Sequence, residues 1–205
     1  MTDRQTATIR TLVLWDVDLT LVNMRRLGGA WYRRAVAEVT GRTLTEIPPF
    51  GGRTDRWITI ELLSSVGLPA SEDLIGRVQA AAANLAAEQR ADIGELGFVL
   101  PGATESLRAV ATLPDTAQSL VTGNQRPIAG YKVGAFGLDE YLDLDIGGYG
   151  ELSEHRPALV ADAITRASSK HGRRFERESV VVFGDTPHDV DAALASGARP
   201  VGVAS

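Results

Sequence analysis

The stretch Ile9-Arg-Thr-Leu-Val-Leu-Trp-Asp-Val-Asp-Leu-Thr20 decides how the whole sequence is interpreted. Its first seven residues are mostly apolar or β-branched, which predicts a short buried strand that ends at Asp16. Asp18 lies two positions further on, so a strand that continued would point both carboxylates to one side. Taken alone, an acidic pair after a strand is also typical of a turn or a helix cap.

Working outward from this stretch, four later segments are also predicted as strands, and helical patterns lie between them. The strands are predicted at residues 118–121, 142–146, 179–183 and 200–203, and the helices at 104–113, 127–136, 158–171 and 188–195. Three of these helices have proline at or near the first helical position, at Pro127, Pro157 and Pro187. Strands that alternate with helices favour an α/β fold with a Rossmann-like parallel sheet.

The region between Thr20 and Pro101 has a different character, because it shows helical patterns and no strand is predicted in it. Helices are predicted at residues 27–39, 55–66 and 71–91, with Gly41 and Gly67 as helix ends and Ser71 as a helix start. We therefore expect an α/β core domain formed by residues 1–22 and 98–205, interrupted by an all-helical domain of residues 23–97.

The composition excludes several classes of function. The 205 residues carry a net charge of −5 and no basic stripe, so nothing favours a nucleic-acid partner. The absence of cysteine excludes disulfides, thiolate catalysis and zinc–thiolate sites, and it fits a reducing compartment. Residues 1–10 are polar, and no apolar run approaches membrane-spanning length. We expect a cytoplasmic protein with no membrane partner, either a monomer or a homodimer.

Polar side chains follow the predicted strands at the points where the strands end. In open parallel sheets, ligands bind beyond the carboxyl ends of the strands, so residues distant in sequence can meet there. Phosphoryl transfer needs an anionic nucleophile, a metal ion that offsets charge repulsion, and donors that hold the phosphate oxygens. Carboxylates suit Mg²⁺, a hydroxyl and a guanidinium suit phosphate, and glycine lets the backbone approach closely. The candidate residues are Asp16, Asp18, Thr122, Gly123, Asn124, Arg156, Asp185 and Asp189.

Four short motifs together resemble the signatures of the haloacid dehalogenase-like (HAD) hydrolase superfamily. They are Asp16-Val-Asp18-Leu-Thr20, Val121-Thr-Gly-Asn124, Arg156-Pro157 and Phe183-Gly-Asp-Thr-Pro-His-Asp189, in the family's order. The helical segment lies where this family places a C1-type cap. The segments Gly52-Arg-Thr-Asp55 and Pro101-Gly102 are similar to those of phosphoglycolate-phosphatase-like members. The resemblance therefore covers essentially the whole chain.

The resemblance implies a role for each matched residue. Asp16 would be the nucleophile and a metal ligand, and Asp18 the acid/base, with its backbone carbonyl on the metal. Thr122, Gly123 and Asn124 would bind phosphate, and Arg156 would stabilise both nucleophile and phosphate. Asp185 would bind Mg²⁺, and Asp189 would bind it or orient its waters. The expected reaction is Mg²⁺-dependent hydrolysis of a small phosphorylated metabolite through an aspartyl-phosphate, with phosphoglycolate as a first candidate.

Two positions depart from the family pattern, since Leu19 replaces a common glycine and Arg156 replaces the usual lysine. They leave open a catalytically weak binding or regulatory protein on the same scaffold. A phosphosugar mutase of the β-phosphoglucomutase type is the alternative enzyme. Asp18 argues against dehalogenation, and the absence of lysine from residues 22–100 argues against phosphonatase chemistry through a Schiff base.

Overall fold

The main β-sheet is built around the apolar strand near the start of the sequence. The structure is a computed structural model and describes residues 9–24, 27–47 and 49–204. The strands are β1 (Thr11–Trp15), β2 (Val22–Asn23), β3 (Phe98–Val99), β4 (Thr116–Thr122), β5 (Gly148–Tyr149), β6 (Val180–Gly184) and β7 (Arg199–Gly202). The α-helices are α1 (Leu27–Thr40), α2 (Asp55–Ser65), α3 (Glu72–Glu88), α4 (Ile93–Leu96), α5 (Ala103–Ala111), α6 (Arg126–Gly134), α7 (Arg156–His171) and α8 (Pro187–Ala195).

The main sheet has the strand order β5-β4-β1-β6-β7, and all of its pairings are parallel. β1 is central, and its side chains alternate between two hydrophobic clusters, one on each face of the sheet. Leu12 and Leu14 pack into one cluster, and Val13 and Trp15 into the other. A strand covered on both faces is apolar at successive positions, which is the pattern that residues 11–15 show. The predicted α/β fold with a parallel sheet is confirmed.

The segment between β2 and β3, residues 24–97, is called the helical insert below. The chain enters and leaves it through a two-stranded antiparallel ribbon in which Val22 pairs with Val99. Our prediction of no strand between residues 20 and 101 was wrong on this point. Each strand of the ribbon is only two residues long, and its stability depends on partner residues 75 and 77 positions away, which no local pattern reveals.

The insert helices begin where the capping residues predict. The hydroxyl oxygen of Thr54 accepts a hydrogen bond from the Trp57 backbone N–H at 3.1 Å and caps α2. The Ser71 hydroxyl accepts one from the Leu74 N–H at 3.3 Å and caps α3, so the predicted start at Ser71 is confirmed. The insert helices α1 and α3 pack against each other, and α3 also contacts α6 of the sheet region. The predicted division into domains at residues 22–23 and 97–98 stays a prediction.

The strand predicted at residues 142–146 was also wrong. Leu144–Ile146 forms a single 3₁₀ turn, and the edge strand β5 begins two residues later at Gly148. The cause is local, because the Asp143 side chain accepts a hydrogen bond from the Asp145 N–H at 3.2 Å and so favours a turn. Gly148 fits the edge because a Cβ there would lie 2.0 Å from the Leu159 carbonyl oxygen of α7.

Across the described parts of the chain, none of the helices combines the length and the apolar character needed to span a membrane.

Candidate active site

The carboxyl ends of three neighbouring strands bring the candidate residues to one edge of the sheet. β4 ends at Thr122, β1 is followed by Asp16, and β6 is followed by Asp185. The Asp16 N–H donates to the Phe183 carbonyl at 2.9 Å, and the Trp15 and Phe183 rings stack with centroids 4.1 Å apart. These contacts fix where β1 ends, and therefore where the Asp16 side chain emerges.

Asp16 is held by Arg156, the first residue of α7. Arg156 Nη2 donates to Asp16 Oδ1 at 3.1 Å, and the same nitrogen forms a short ion pair with Asp189 Oδ1. The other oxygen of Asp189 accepts from the Thr186 N–H at 3.1 Å and from the Thr186 hydroxyl at 2.5 Å. The Thr186 hydroxyl oxygen accepts in turn from the Asp189 N–H at 3.4 Å, which completes the capping box of α8. Asp16, Arg156 and Asp189 are all buried, so Arg156 connects the starts of α7 and α8 to the carboxylate that follows β1.

Three carboxylates gather beside this arginine. Single oxygen atoms of Asp16, Asp185 and Asp189 all lie within 4.8 Å of one another. Arg156 supplies one positive charge against three carboxyl groups, and an all-oxygen donor set suits Mg²⁺ rather than a softer metal. Asp16 and Asp185 fit direct ligation best, because both oxygens of Asp189 already accept hydrogen bonds.

The pKa of Asp16 is raised from 3.8 to about 7, chiefly by burial; Arg156 opposes the rise, and the nearby carboxylates of Asp189 and Asp18 contribute to it. The pKa of Asp185 is raised by burial first and by Asp189 second. A divalent cation among these groups would favour their ionised forms.

Asp18 lies in a tight turn rather than in a continuing strand, and it belongs to a different hydrogen-bond network. Leu19, the next residue, has φ of 61°, in the left-handed region where glycine is favoured, which explains why the family's glycine suits this position. The Asn124 side-chain amide donates to Asp18 Oδ2 at 2.7 Å, and Lys132 Nζ lies 2.7 and 2.6 Å from the two carboxylate oxygens. Asp16 and Asp18 thus reach one cavity from two separate supports.

Residues of the helical insert lie directly against the loop that follows β4. Thr122 is fully buried, and its hydroxyl oxygen accepts from the Asn124 amide at 2.9 Å. A Cβ at Gly123 would lie 2.1 Å from the Arg53 carbonyl oxygen, and one at Gly150 would lie 1.7 Å from the Gly123 carbonyl oxygen. Sequence analysis assigned the glycine to close approach of a phosphate, whereas the close neighbour here is the backbone of the insert.

The start of α2 clasps this loop. The backbone N–H of Asp55 donates to the Gly123 carbonyl at 2.7 Å, and that of Arg56 donates to the Gly150 carbonyl at 2.9 Å. In return, Gln125 N–H donates to Asp55 Oδ2 at 2.8 Å. Asp55 is buried, and this burial raises its pKa from 3.8 to about 7 against the lowering effect of the hydrogen bond from Gln125.

A cavity of about 420 Å³ lies between the helical insert and the sheet edge. Its sheet side carries the candidate residues together with Lys132, and its insert side is mainly apolar, including Met24, Trp31 and Phe50. Arg53 also lines it, with its guanidinium carbon 4.4 Å from the centre of the Trp57 ring. The residues lining the cavity on the sheet side are Asp16, Asp18, Thr122, Gly123, Asn124, Lys132, Arg156 and Asp185. Asp189 lies behind them, against Arg156.

The family model described as haloacid dehalogenase-like hydrolase matches residues 13–194. The chain belongs to this family. Its fold is similar to that of a hydrolase from Pseudomonas syringae, with a TM-score of 0.66 at 21% identity over 94% of this chain and 84% of that one. No curated protein matches the sequence.

Two further solved structures have similar folds. A protein from Haemophilus somnus assigned as a phosphoglycolate phosphatase gives a TM-score of 0.60 at 20% identity, over 95% of this chain and 85% of that one. A protein from Thermotoga maritima assigned as a β-phosphoglucomutase gives 0.53 at 23% identity, over 95% and 86%. At these identities the similarity shows a shared fold, and this fold agrees with the match to the HAD-like hydrolase family.

The motifs did not point to Lys132 or Gln125. In the segment Gly52-Arg-Thr-Asp55, Thr54 caps α2 while Arg53 and Asp55 line the cavity. A signal for Lys132 was present, because Lys132 and Lys170 are the only lysines in the sequence. Its placement on the helix after Val121-Thr-Gly-Asn124 could have drawn attention to it.

Proposed function

We propose that this protein is a Mg²⁺-dependent phosphatase that hydrolyses small phosphate monoesters through an aspartyl-phosphate on Asp16. The observation that carries the proposal is the arrangement of Asp16 and Asp18 in one cavity. Asp16 sits beside Arg156 and a carboxylate cluster, while Asp18 lies two residues on and is held separately. One carboxylate is thus available for attack, and the other for proton transfer.

In the first step, an oxygen of Asp16 attacks phosphorus and the bond from phosphorus to the ester oxygen breaks. Asp18 gives its proton to that leaving oxygen, so an alcohol departs and an aspartyl-phosphate remains. In the second step, Asp18 takes a proton from water, whose oxygen attacks phosphorus and restores the Asp16 carboxylate. Arg156 and Thr122 hold the phosphate oxygens, together with Asn124 and the backbone at Gly123.

Asp16, Asp185 and the backbone carbonyl of Asp18 would hold the Mg²⁺, with Asp189 orienting Arg156 and the ion's waters. When bound, the ion neutralises charge on the phosphate and so permits an anion to approach it. The helical insert belongs to a cap domain of residues 23–97, which lies over a core domain of residues 1–22 and 98–205. Its clasp on Gly123 keeps water away from the reacting phosphate.

The choice of substrate depends on what the insert presents. Phosphoglycolate carries a carboxylate, and Arg53 is a cation at the cavity that suits it. The same cation would suit the second phosphate of a bisphosphate, so a phosphosugar mutase stays the alternative enzyme. A catalytically weak binding protein is the other alternative, motivated by Leu19 and Arg156. A cytoplasmic location and a monomeric or homodimeric state stay predictions from the sequence.

The test is release of inorganic phosphate from p-nitrophenyl phosphate and from a panel of phosphorylated metabolites, with Mg²⁺ and then with EDTA. We expect turnover that needs Mg²⁺, and loss of at least about a thousandfold in Asp16→Asn with an unchanged circular dichroism spectrum. The control Asp191→Asn changes an exposed carboxylate two residues after Asp189 and should retain activity. Absence of metal-dependent turnover on every substrate would refute the phosphatase proposal, and ³¹P NMR that shows isomerisation without phosphate release would favour the mutase.

A further inference from the structure

Lys132 is a buried cation whose ammonium group hydrogen-bonds to residues of the candidate site. It lies on α6, and its side chain is 4% exposed. Its ammonium nitrogen is 2.7 Å from Asp18 Oδ1, 2.6 Å from Asp18 Oδ2 and 2.8 Å from Asn124 Oδ1. The Asn124 amide nitrogen then donates to the same carboxylate at 2.7 Å. Asp18 is therefore held by Lys132 and Asn124, which also form a hydrogen bond with each other.

A lysine at this position is unusual for a chain in which most of the basic residues are arginines. The sequence contains nineteen arginines and two lysines, so arginine is the default cation here. Lys170, the other lysine, is 45% exposed and pairs with Asp143 and Asp145 on the surface. A compact ammonium directs three donors from one atom, which matches three oxygens gathered around one point. A planar guanidinium spreads its donors over three nitrogens and does not match that arrangement.

Asp18 needs such support because little else restrains it. Its side chain is 42% exposed to the cavity, and the residue after it lies in a left-handed turn. A general acid works only when its oxygen is within about 2.6–3.2 Å of the atom it protonates, so a carboxylate that samples several rotamers loses rate. Lys132 and Asn124 restrict the carboxylate to one orientation at the sheet edge.

We propose that Lys132 is the positioning residue of Asp18, holding its carboxylate where it exchanges a proton with the leaving oxygen. The proposal rests on the proposed phosphatase function. It differs from a structural role, which would affect all substrates through folding, and from direct phosphate binding, which would affect all monoesters equally. Only positioning of Asp18 makes the loss depend on how much the leaving group needs a proton.

The test compares two substrates under single-turnover conditions with enzyme in excess. p-Nitrophenolate leaves as a stable anion, whereas an alkoxide from ethyl phosphate must be protonated as it leaves. Release of the alcohol or phenol reports formation of the aspartyl-phosphate alone. In Lys132→Met we expect the ratio of the p-nitrophenyl phosphate rate to the ethyl phosphate rate to rise at least tenfold, since general acid catalysis contributes about 10²–10⁴. Asp18→Asn should raise the ratio in the same direction.

Lys170→Met is the matched control, because it removes the other lysine of the chain from a surface ion pair, and it should leave the ratio unchanged. Lys132→Arg keeps the charge but not the three donors on one atom, and it should still raise the ratio. If Lys132→Met does not fold, Lys132→Gln is measured instead, with the same expected direction. Equal loss on both substrates, or a wild-type ratio in Lys132→Arg, would overturn the positioning role. Wild-type protein that turns over neither substrate would instead refute the phosphatase function on which it rests.

Discussion

The guanidinium of Arg156 lies 3.1 Å from the carboxylate of Asp16, across 140 positions of sequence. The contact uses a single nitrogen, Nη2, which also pairs with Asp189. The planar fork of arginine is therefore not used to grip two oxygens of one carboxylate. This bears on the departure from the family pattern at this position, because a lysine ammonium is also a single nitrogen.

From this geometry we predict that Arg156→Lys keeps kcat/KM within about tenfold of wild type, provided that the ammonium reaches both carboxylates. Arg156→Met should lose activity and lower the free energy of unfolding by about 3–5 kcal/mol, because it leaves two buried carboxylates without their cation. Phosphate-release kinetics and urea unfolding measure both effects. An Arg156→Lys variant as inactive as Arg156→Met would show that the guanidinium itself is required.

Removal of Mg²⁺ should change stability as well as activity. If Mg²⁺ binds the folded protein through the carboxylate cluster as proposed, millimolar Mg²⁺ should raise the unfolding temperature of the wild type. Asp185→Asn should raise the Mg²⁺ concentration needed for half-maximal activity by about 10- to 100-fold and reduce the thermal shift. Asp191→Asn, on the exposed side of α8, is the control. A thermal shift that survives in Asp185→Asn would place the ion elsewhere.

The left-handed backbone of Leu19 predicts an unusual response to substitution. Asparagine tolerates φ of about 60°, so Leu19→Asn should leave the free energy of unfolding unchanged or raise it by up to about 1 kcal/mol. Leu19→Val should lower it by at least about 1 kcal/mol, because a β-branched side chain is strained there. Urea unfolding gives both values. The exposed Leu113 serves as a comparison, and if its asparagine and valine variants show the same order, the backbone explanation fails.

Arg53 offers a test of what the insert recognises. If it binds the carboxylate of phosphoglycolate, Arg53→Gln should raise KM for phosphoglycolate by about tenfold and leave KM for ethyl phosphate unchanged, since an exposed ionic contact contributes about 1 kcal/mol. Steady-state kinetics on the two substrates measures the difference. Arg42→Gln changes an exposed arginine away from this cavity and should affect neither substrate. Equal changes in KM for both substrates in Arg53→Gln would show that Arg53 does not recognise the carboxylate.

Asp55 predicts a pH dependence of stability. Burial raises its folded pKa to about 7, so the folded protein keeps a proton at pH values where the unfolded chain, with a pKa near 3.8, has lost it. The free energy of unfolding therefore falls as pH rises from about 4 to about 7, and the penalty is complete above pH 7. Asp55→Asn keeps an oxygen for the Gln125 N–H and carries no charge.

In EDTA, the unfolding temperature of Asp55→Asn should gain on that of the wild type by roughly 2–10 °C between pH 5 and pH 8. Differential scanning calorimetry at several pH values measures this. Asp191→Asn, an exposed change, should give a curve parallel to wild type. A constant difference between Asp55→Asn and wild type across this range would contradict the buried carboxyl as the cause.

Local patterns predicted those parts of the molecule that depend on neighbouring residues. The apolar run before Asp16 predicted β1, and Ser71 predicted the start of α3, because burial on both faces and helix capping are read over a few positions. β2 and β3 were missed because each is stable only through partner residues 75 and 77 positions away. The turn at Asp143 was missed because a single side-chain hydrogen bond outweighed an apolar pattern.

The same division holds at the site. The motifs predicted which residues gather at the sheet edge, since the ends of parallel strands must meet there. They implied Arg156 as the partner of Asp16, but they did not reveal that Asp18 has a separate support, because Lys132 reaches it from α6, whose packing no motif encodes. The Mg²⁺ requirement and the aspartyl-phosphate stay predictions that the experiments above address.

The clasp between the start of α2 and the loop after β4 also limits how such sequences can diverge. Gly123 and Gly150 have no room for a side chain because each faces backbone atoms, and backbone cannot be shortened by substitution. Among natural sequences that keep this insert in this position, both sites should therefore be occupied by glycine, even where the surrounding loops drift. A homologue with a larger residue at either position would have to hold its helical insert further from the loop after β4. The position of the insert and the identity of the glycine would therefore have changed together in evolution.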